Sequence, residues 1–133
     1  MNKNLLLFLV MTMSIIACQP AAESPTSQLT FYVLNANESH PSVNIKVALD
    51  TMLMVNEEFT MIKEGHNWED FNREIRKGIY NLSISSETVT DQRDTTLTLD
   101  QDEYYFLIEY HDAPGREDQL FYLHISTQPI YFM

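Results

Sequence analysis

Residues 42–50, SVNIKVALD, decide the fold class of this chain, because apolar side chains recur at every second position. The apolar positions are Val43, Ile45, Val47 and Leu49. A period of two places these side chains on one face of a β-strand and the residues between them on the other face. The stretch therefore predicts a strand with one buried face and one solvated face.

Further strands are predicted on both sides of this stretch. Residues 29–34 and 104–110 are apolar at nearly every position, which is typical of central strands. Other strands are predicted over residues 52–55, 58–63, 79–85, 96–100, 120–126 and 130–133. Strands at intervals of about ten residues are typical of sandwiches. The sequence therefore predicts an all-β fold, a single antiparallel β-sandwich of about 7–9 strands, with a small β-barrel as the alternative.

Two regions are harder to interpret. Residues 68–76 fit either a strand or a short helix, because three of their apolar side chains also have helical spacing. We favour the strand, paired with residues 79–85 across a turn at Lys77-Gly78. A second hairpin is predicted about residues 56–57, although this turn lacks a glycine.

The chain is strongly acidic, with 8 Lys and Arg against 19 Asp and Glu. Without residues 1–17, which contain Lys3, the basic count falls to 7 and the formal charge to −12. A field of this sign repels phosphate backbones and anionic lipid, so we expect no nucleic-acid partner. A hydrophobic content of 44% is enough for one packed core.

The amino-terminal residues have the features of an export signal. Lys3 is followed by an uncharged apolar run from Leu5 to Val10, and the small residue Ala17 precedes the chain's single cysteine, Cys18. This apolar segment is shorter than the roughly 20 residues that a membrane-spanning helix needs. Residues 1–17 are therefore predicted to be a cleaved signal peptide.

The four residues Ile15-Ile16-Ala17-Cys18 resemble the lipobox of bacterial lipoproteins, although Ile16 is bulkier than the residues common at its place. The resemblance implies that Cys18 begins the mature protein and carries palmitate or similar acyl chains as a membrane anchor. Gln19, where the family often uses an Asp for retention in the inner membrane, implies delivery to the outer membrane.

Residues 18–27 are predicted to be the lipidated cysteine and a flexible linker, because prolines and small polar residues cannot offset the entropy of ordering. Residues 28–133 are predicted to form the sandwich domain. Within it, a glycine turn, alternating residues 79–84 and the later Leu97-Thr98-Leu99 resemble prealbumin-like and immunoglobulin-like sandwich modules of exported bacterial proteins. This resemblance implies a fold and no catalytic residues.

No catalytic constellation is present in the sequence. The three glycines form no Gly-x-Ser-x-Gly elbow, and the four histidines lack metal-ligand spacing. We therefore expect no enzyme activity, no cofactor and no metal site. Aromatic residues give the one hint of binding: Trp68 with His66, and Tyr80 and Tyr110 if the strands align, are candidate contacts for a sugar ring. Tryptophan and tyrosine also build sandwich cores.

These observations favour a lipid-anchored lipoprotein of the bacterial cell envelope whose acidic sandwich binds a protein partner. Two alternatives stay open. One is a carbohydrate-binding accessory module that uses Trp68 and nearby tyrosines. The other is a periplasmic inhibitor or immunity-type protein that binds a basic enzyme or toxin. The sequence leaves the oligomeric state and the identity of the partner open.

Overall fold

In a computed structural model of the chain, residues 22–61, 68–112 and 120–132 are described, and all their regular structure is β-strand. The eight strands are β1 (Thr26–Asn35), β2 (Ser42–Leu49), β3 (Met52–Thr60), β4 (Glu69–Arg76), β5 (Gly78–Ser85), β6 (Gln92–Leu99), β7 (Glu103–Tyr110) and β8 (Phe121–Ser126). The predicted signal peptide and Cys18 lie outside the described residues.

Within the described ranges, no helix is long and apolar enough to cross a membrane.

The strands form two four-stranded sheets, with orders β4-β1-β7-β8 and β3-β2-β5-β6. The prediction of an all-β sandwich is confirmed, because two separate sheets are present instead of one closed sheet. The strands expected to be central, β1 and β7, are the two inner strands of the first sheet. Their pairing departs from the antiparallel prediction, since they run parallel. Parallel neighbours need a long crossover, and here strands β2 to β6 intervene between them.

The core lies between the inward faces of the two sheets. Phe31 of β1 and Phe106 of β7 are unexposed, and their rings stack with centroids 4.6 Å apart. The apolar positions of residues 42–50 are also fully buried, as their alternation predicts. Each large side chain buried in this way contributes about 1.5–3 kcal/mol. The layer of inward side chains therefore holds the two sheets together.

The hairpin predicted about residues 56–57 is wrong. β3 runs through these residues as one strand, with Asn56 opposite Lys46 of β2. The turn lies earlier, where Asp50 adopts a φ of 52°. Aspartate tolerates this left-handed conformation better than most residues. The Asp50 carboxylate also accepts a hydrogen bond from the Asn81 backbone N–H at 2.8 Å, which ties the turn to β5.

The strand interpretation of residues 68–76 is confirmed, because β4 spans Glu69–Arg76. The predicted hairpin between this strand and the next is wrong. β4 pairs with β1 in the first sheet, and Lys77 alone links it to β5 in the second sheet.

The inward side chains Phe71 and Ile75 pack against the core where β4 lies beside β1, and polar contacts join the outward sides of the two strands. The Thr26 hydroxyl donates to the Glu74 carboxylate at 2.7 Å, and the Thr30 hydroxyl donates to the Asn72 side-chain oxygen at 2.9 Å. β4 is rich in charged residues, which suits an edge strand that water reaches. The apolar row of β5 instead suits a place between β2 and β6.

The sandwich begins two residues before its predicted boundary, because β1 starts at Thr26. Ser27, expected in the flexible linker, is fully buried, and its hydroxyl donates to the Gln101 carbonyl at 2.6 Å. A short polar side chain with an internal hydrogen-bond partner can be buried at little cost. We call this end of the sandwich, where β1 begins, the tether end.

The edge strand predicted over residues 130–133 is also a misassignment in the described part, since residues 127–132 contain no strand. Pro129 has no N–H to donate to a ladder. The Ser126 hydroxyl accepts from the Gln128 N–H at 3.0 Å, which turns the chain away from β8. Phe132 then packs on Tyr32 of β1, with ring centroids 5.1 Å apart.

Candidate functional site

The three described candidates for ligand binding lie in different parts of the sandwich. Trp68 precedes β4 on the side of the first sheet that faces away from the core. Tyr80 packs its ring against the core at the tether end, and Tyr110 is fully buried at the end of β7. The eight-residue length of β4, about 25 Å, separates Trp68 from Tyr80. His66 lies outside the described residues.

Tyr110 belongs to a buried polar network at the end of the sandwich where β1 ends, which we call the loop end. Its hydroxyl lies 3.2 Å from Nδ1 of His40. Asn35, 1% exposed, donates to two backbone carbonyl groups at 2.9 and 3.1 Å. Burial raises the pKa of Tyr110, and the charges of Asp91 and Asp112 add to this shift. These contacts are internal, so the network closes the end of the core.

Asn37 ties the connection after β1 to the one after β7. Its side-chain oxygen accepts from the N–H groups of Ser39 and His40 at 2.9 and 3.0 Å, and its amide donates to the His111 carbonyl at 3.2 Å. Nδ1 of His111 is buried and has no partner among the described residues. In the same part of the chain, no group of three or more His, Cys, Asp or Glu side chains is placed to hold a metal ion.

An aromatic cluster covers part of the outer face, by which we mean the side of the β4-β1-β7-β8 sheet turned away from the core. Phe132 stacks on Trp68 with centroids 5.1 Å apart and planes at 20°, and meets Tyr32 edge-on at 79°. Because β7 lies between β8 and β1, the tail, residues 127–132 after β8, crosses β7 to make these contacts. Tyr131 and Tyr122 are 84% and 45% exposed. Aromatic surface therefore remains open to solvent beside the cluster.

Carboxylates lie among the aromatic residues of the outer face. Strand register gives these outward positions to Asp70, Glu74, Glu103 and Glu109. The Tyr105 hydroxyl donates to Glu103 at 2.8 Å, and this hydrogen bond raises the pKa of Tyr105. Arg76, at the end of β4, is the single Lys or Arg at an outward position of these four described strands. The face therefore combines aromatic rings with uncompensated negative charge.

The remaining described surface is also acidic. Lys77 and Asp102 form the one ion pair found within the described ranges, at 2.6 Å, and the hydrogen bond from Lys77 lowers the pKa of Asp102. The Tyr104 hydroxyl lies 2.7 Å from Asp100 and donates to its carboxylate, which lowers the pKa of Asp100. Both contacts lie at the tether end. They stabilise the connection between β6 and β7.

Sequence reasoning did not identify the outer face as an aromatic surface. The signal was present in the parity of β7, where even-numbered residues point inward and odd-numbered residues outward. This alternation places Tyr104 and Tyr110 in the core and Tyr105 on the outer face. Because β7 is largely apolar on both faces, its sequence pattern does not show which residues point inward. The contact of Phe132 with Trp68 had no periodic signal, because the tail is not a strand.

Comparison with protein-family models, with curated proteins and with solved structures found no match for this chain. The fold and the outer face are therefore interpreted from their own geometry and chemistry.

Proposed function

We propose that this chain is a non-enzymatic lipoprotein of the bacterial cell envelope whose acidic β-sandwich binds a basic protein partner. The observation that carries this proposal is the charge of the folded surface. The sequence holds 19 acidic against 8 basic residues, and one ion pair is found within the described ranges. An acidic surface of this kind speeds encounter with a basic partner and gives binding that weakens with salt.

The anchor in this proposal is a set of acyl chains on Cys18, supported by the lipobox-like residues 15–18 and by the absence of a second cysteine in the sequence. Stable attachment needs more than one chain, since each buried methylene contributes about 0.8 kcal/mol. Seven residues separate Cys18 from Thr26, where β1 begins, and they span at most about 25 Å. The tether end would then face the membrane and the loop end would point away.

The proposal treats the domain as a sandwich module of the prealbumin-like kind. In immunoglobulin domains the first two strands lie in one sheet, whereas here β1 and β2 lie in different sheets. Within the proposal, this difference favours the prealbumin-like resemblance over the immunoglobulin-like one. Delivery to the outer membrane is part of the proposal, on the basis of Gln19.

The two alternative functions have unequal support. An inhibitor or immunity-type protein would use the same acidic surface against a basic enzyme or toxin, so it is a special case of the proposal. A carbohydrate-binding module of the kind predicted from the sequence would need Trp68, Tyr80 and Tyr110 on one surface. Tyr80 and Tyr110 do not share a surface with Trp68, and one face of the Trp68 indole is occupied by Phe132.

Metabolic labelling with palmitate tests the anchor. The wild-type chain should incorporate label, and Cys18→Ala should incorporate none. Label in the Cys18→Ala variant, or its absence from the wild type, would refute the anchor without bearing on the acidic surface.

A salt series tests the binding function. Proteins cross-linked to the chain in intact cells should be basic, and after detergent extraction their non-covalent association should weaken steeply as salt rises. The Cys18→Ala variant, which keeps the folded surface, should bind the same proteins in solution. Binding that is insensitive to salt would contradict this function.

A further inference from the structure

The outer face differs from the other acidic surfaces of the molecule because exposed aromatic rings lie among its carboxylates. The opposite outer face, on β3-β2-β5-β6, presents Asn44, Lys46, Ser83 and Asp94 at its outward positions. It has no comparable group of tyrosines in the described residues. The β4-β1-β7-β8 face presents Tyr32, Tyr105 and Tyr122 from three adjacent strands.

This arrangement suits guanidinium groups. A guanidinium group stacks on an aromatic ring and can form two parallel hydrogen bonds with a carboxylate, whereas an ammonium group is a compact point charge. Tyr105 and Glu103 lie together, with the hydroxyl 2.8 Å from the carboxylate. Glu109 and Tyr122 are directly opposite across the β7-β8 pair. Each of these pairs offers one ring and one carboxylate to the same cation.

The size of the face is adequate for a protein segment. Four strands spaced about 4.8 Å apart, with four outward rows about 6.8 Å apart along them, give a face of roughly 500 Å², and residues 127–132 cross part of it over β7. This value is below the roughly 800 Å² that each partner buries in a standard interface, so the face suits a short segment of a partner. Aromatic residues are enriched in the cores of such interfaces.

We propose that the outer face of the β4-β1-β7-β8 sheet is the docking surface for an arginine-rich segment of the protein partner, with Tyr105 beside Glu103 and Tyr122 beside Glu109 as its two arginine-binding pairs. This inference rests on the proposed function and states where on the molecule it is carried out. Trp68 lies on the same face, stacked on Phe132, and is the single tryptophan of the chain. Its fluorescence therefore reports on occupancy of this face.

The experiment measures binding of two synthetic peptides, oligo-arginine and oligo-lysine of equal length, to the full mature chain in a non-ionic detergent. Binding is followed by Trp68 fluorescence and by calorimetry. The wild type should bind oligo-arginine several-fold more tightly than oligo-lysine, with a change in Trp68 emission. Replacing both rings, in Tyr105→Ala/Tyr122→Ala, should weaken oligo-arginine binding about five- to tenfold and remove the preference over oligo-lysine.

A matched pair of charge variants locates the site. Glu103→Gln/Glu109→Gln removes two carboxylates from the outer face, and Glu58→Gln/Asp94→Asn removes two from the opposite sheet. Both variants change the net charge equally, so a diffuse electrostatic attraction would respond to them alike. We expect about a tenfold loss for the first variant and less than a threefold loss for the second. Circular dichroism and urea unfolding verify that each variant is folded.

The outcomes separate this inference from the proposed function. Salt-sensitive binding of oligo-arginine that falls equally in both charge variants would overturn the docking surface and leave an acidic binding protein. Failure of the wild type to bind either peptide would overturn both. If a cell-wall oligosaccharide shifts Trp68 emission while oligo-arginine does not, the face binds carbohydrate and the inference is wrong.

Discussion

β7 carries aromatic side chains on both of its faces, and their surroundings differ. Phe106 points inward, is unexposed, and stacks on Phe31 beneath the second sheet. Tyr105 points outward, is half-buried, and donates its hydroxyl to Glu103. An aromatic ring covered by a second layer contributes mainly to stability, whereas one beside a carboxylate and water stays available to a partner. In the proposed function, the inner face of this sheet therefore serves folding and the outer face serves recognition.

The largest expected effect comes from truncating one ring on each face. Phe106→Ala leaves a cavity in a closed core and should lower the free energy of unfolding by about 3–5 kcal/mol. Tyr105→Ala removes a ring that water already reaches, so the loss of stability should be a small fraction of that for Phe106→Ala. Urea unfolding measured by circular dichroism gives both values. Equal losses would mean that the outer face is as structural as the core.

A smaller loss of stability is expected at the loop end, where buried polar side chains cap the core. Asn35→Ala removes a buried amide that bonds two backbone carbonyl groups and accepts from the Asn37 N–H at 3.0 Å. The unpaired backbone groups should lower the free energy of unfolding by about 2–3 kcal/mol. Asn72→Ala is the control, because it breaks an exposed bond to Thr30 on the outer face and should cost less than about 0.5 kcal/mol. Similar losses in the two variants would mean that the buried and the exposed polar contacts contribute equally to stability.

The inner face could be predicted from the sequence, and the pairing of strands could not. The alternation of Val43, Ile45, Val47 and Leu49 identifies buried positions without reference to any other strand. Whether β4 pairs with β5 or with β1 depends on contacts such as the pairing of Phe71 with Phe31, 40 residues apart, at the edge of the core. The parallel pair of β1 and β7 is more distant still. Such contacts have no local signal, and the hairpin predicted at Lys77-Gly78 failed for this reason.

The candidate site could also be predicted only in part from the sequence. Sequence reasoning proposed Trp68 as a binding residue at a loop edge and grouped it with Tyr80 and Tyr110, which the structure places elsewhere. Its ring partner, Phe132, lies 64 residues away in the sequence. Only the fold brings the tail across β7 to this position.

Removing the tail contact should affect spectroscopy more than stability. Phe132 is 42% exposed, so Phe132→Ala should cost about 1 kcal/mol. It uncovers one face of the Trp68 indole, and the fluorescence maximum should move to longer wavelength. Tyr131→Ala, which removes an 84% exposed neighbour, should leave the maximum in place. An unchanged spectrum in Phe132→Ala would show that the tail does not cover Trp68 in solution.

The smallest effects are expected at the extremes of pH, where Asp100 at the tether end and Tyr105 on the outer face should respond at opposite ends of the pH scale. The Tyr104 hydroxyl holds the pKa of Asp100 below its ordinary value of 3.8. The stability that this bond contributes is therefore present above pH 3.8 and is lost as the pH falls through the lower, folded value. Asp100→Asn removes this titration, so its melting temperature should decline less than that of the wild type below pH 3.8. Parallel declines in the two proteins would contradict the assignment.

Tyr105 on the outer face should show the reverse dependence. The hydrogen bond to Glu103 raises the pKa of Tyr105 above its ordinary value of 10.0, so its contribution to stability is present below pH 10.0 and is lost as the pH rises through the folded value. Glu103→Gln should bring this pKa back toward 10.0, measured from the Cζ chemical shift of Tyr105 in a ¹³C-tyrosine NMR titration. Glu109→Gln removes one charge from the same face without breaking the bond, so it should move the pKa less. If the two variants move it equally, general negative charge and not the Glu103 contact controls Tyr105, and the Tyr105-Glu103 pair loses its role as a defined receptor for one guanidinium group.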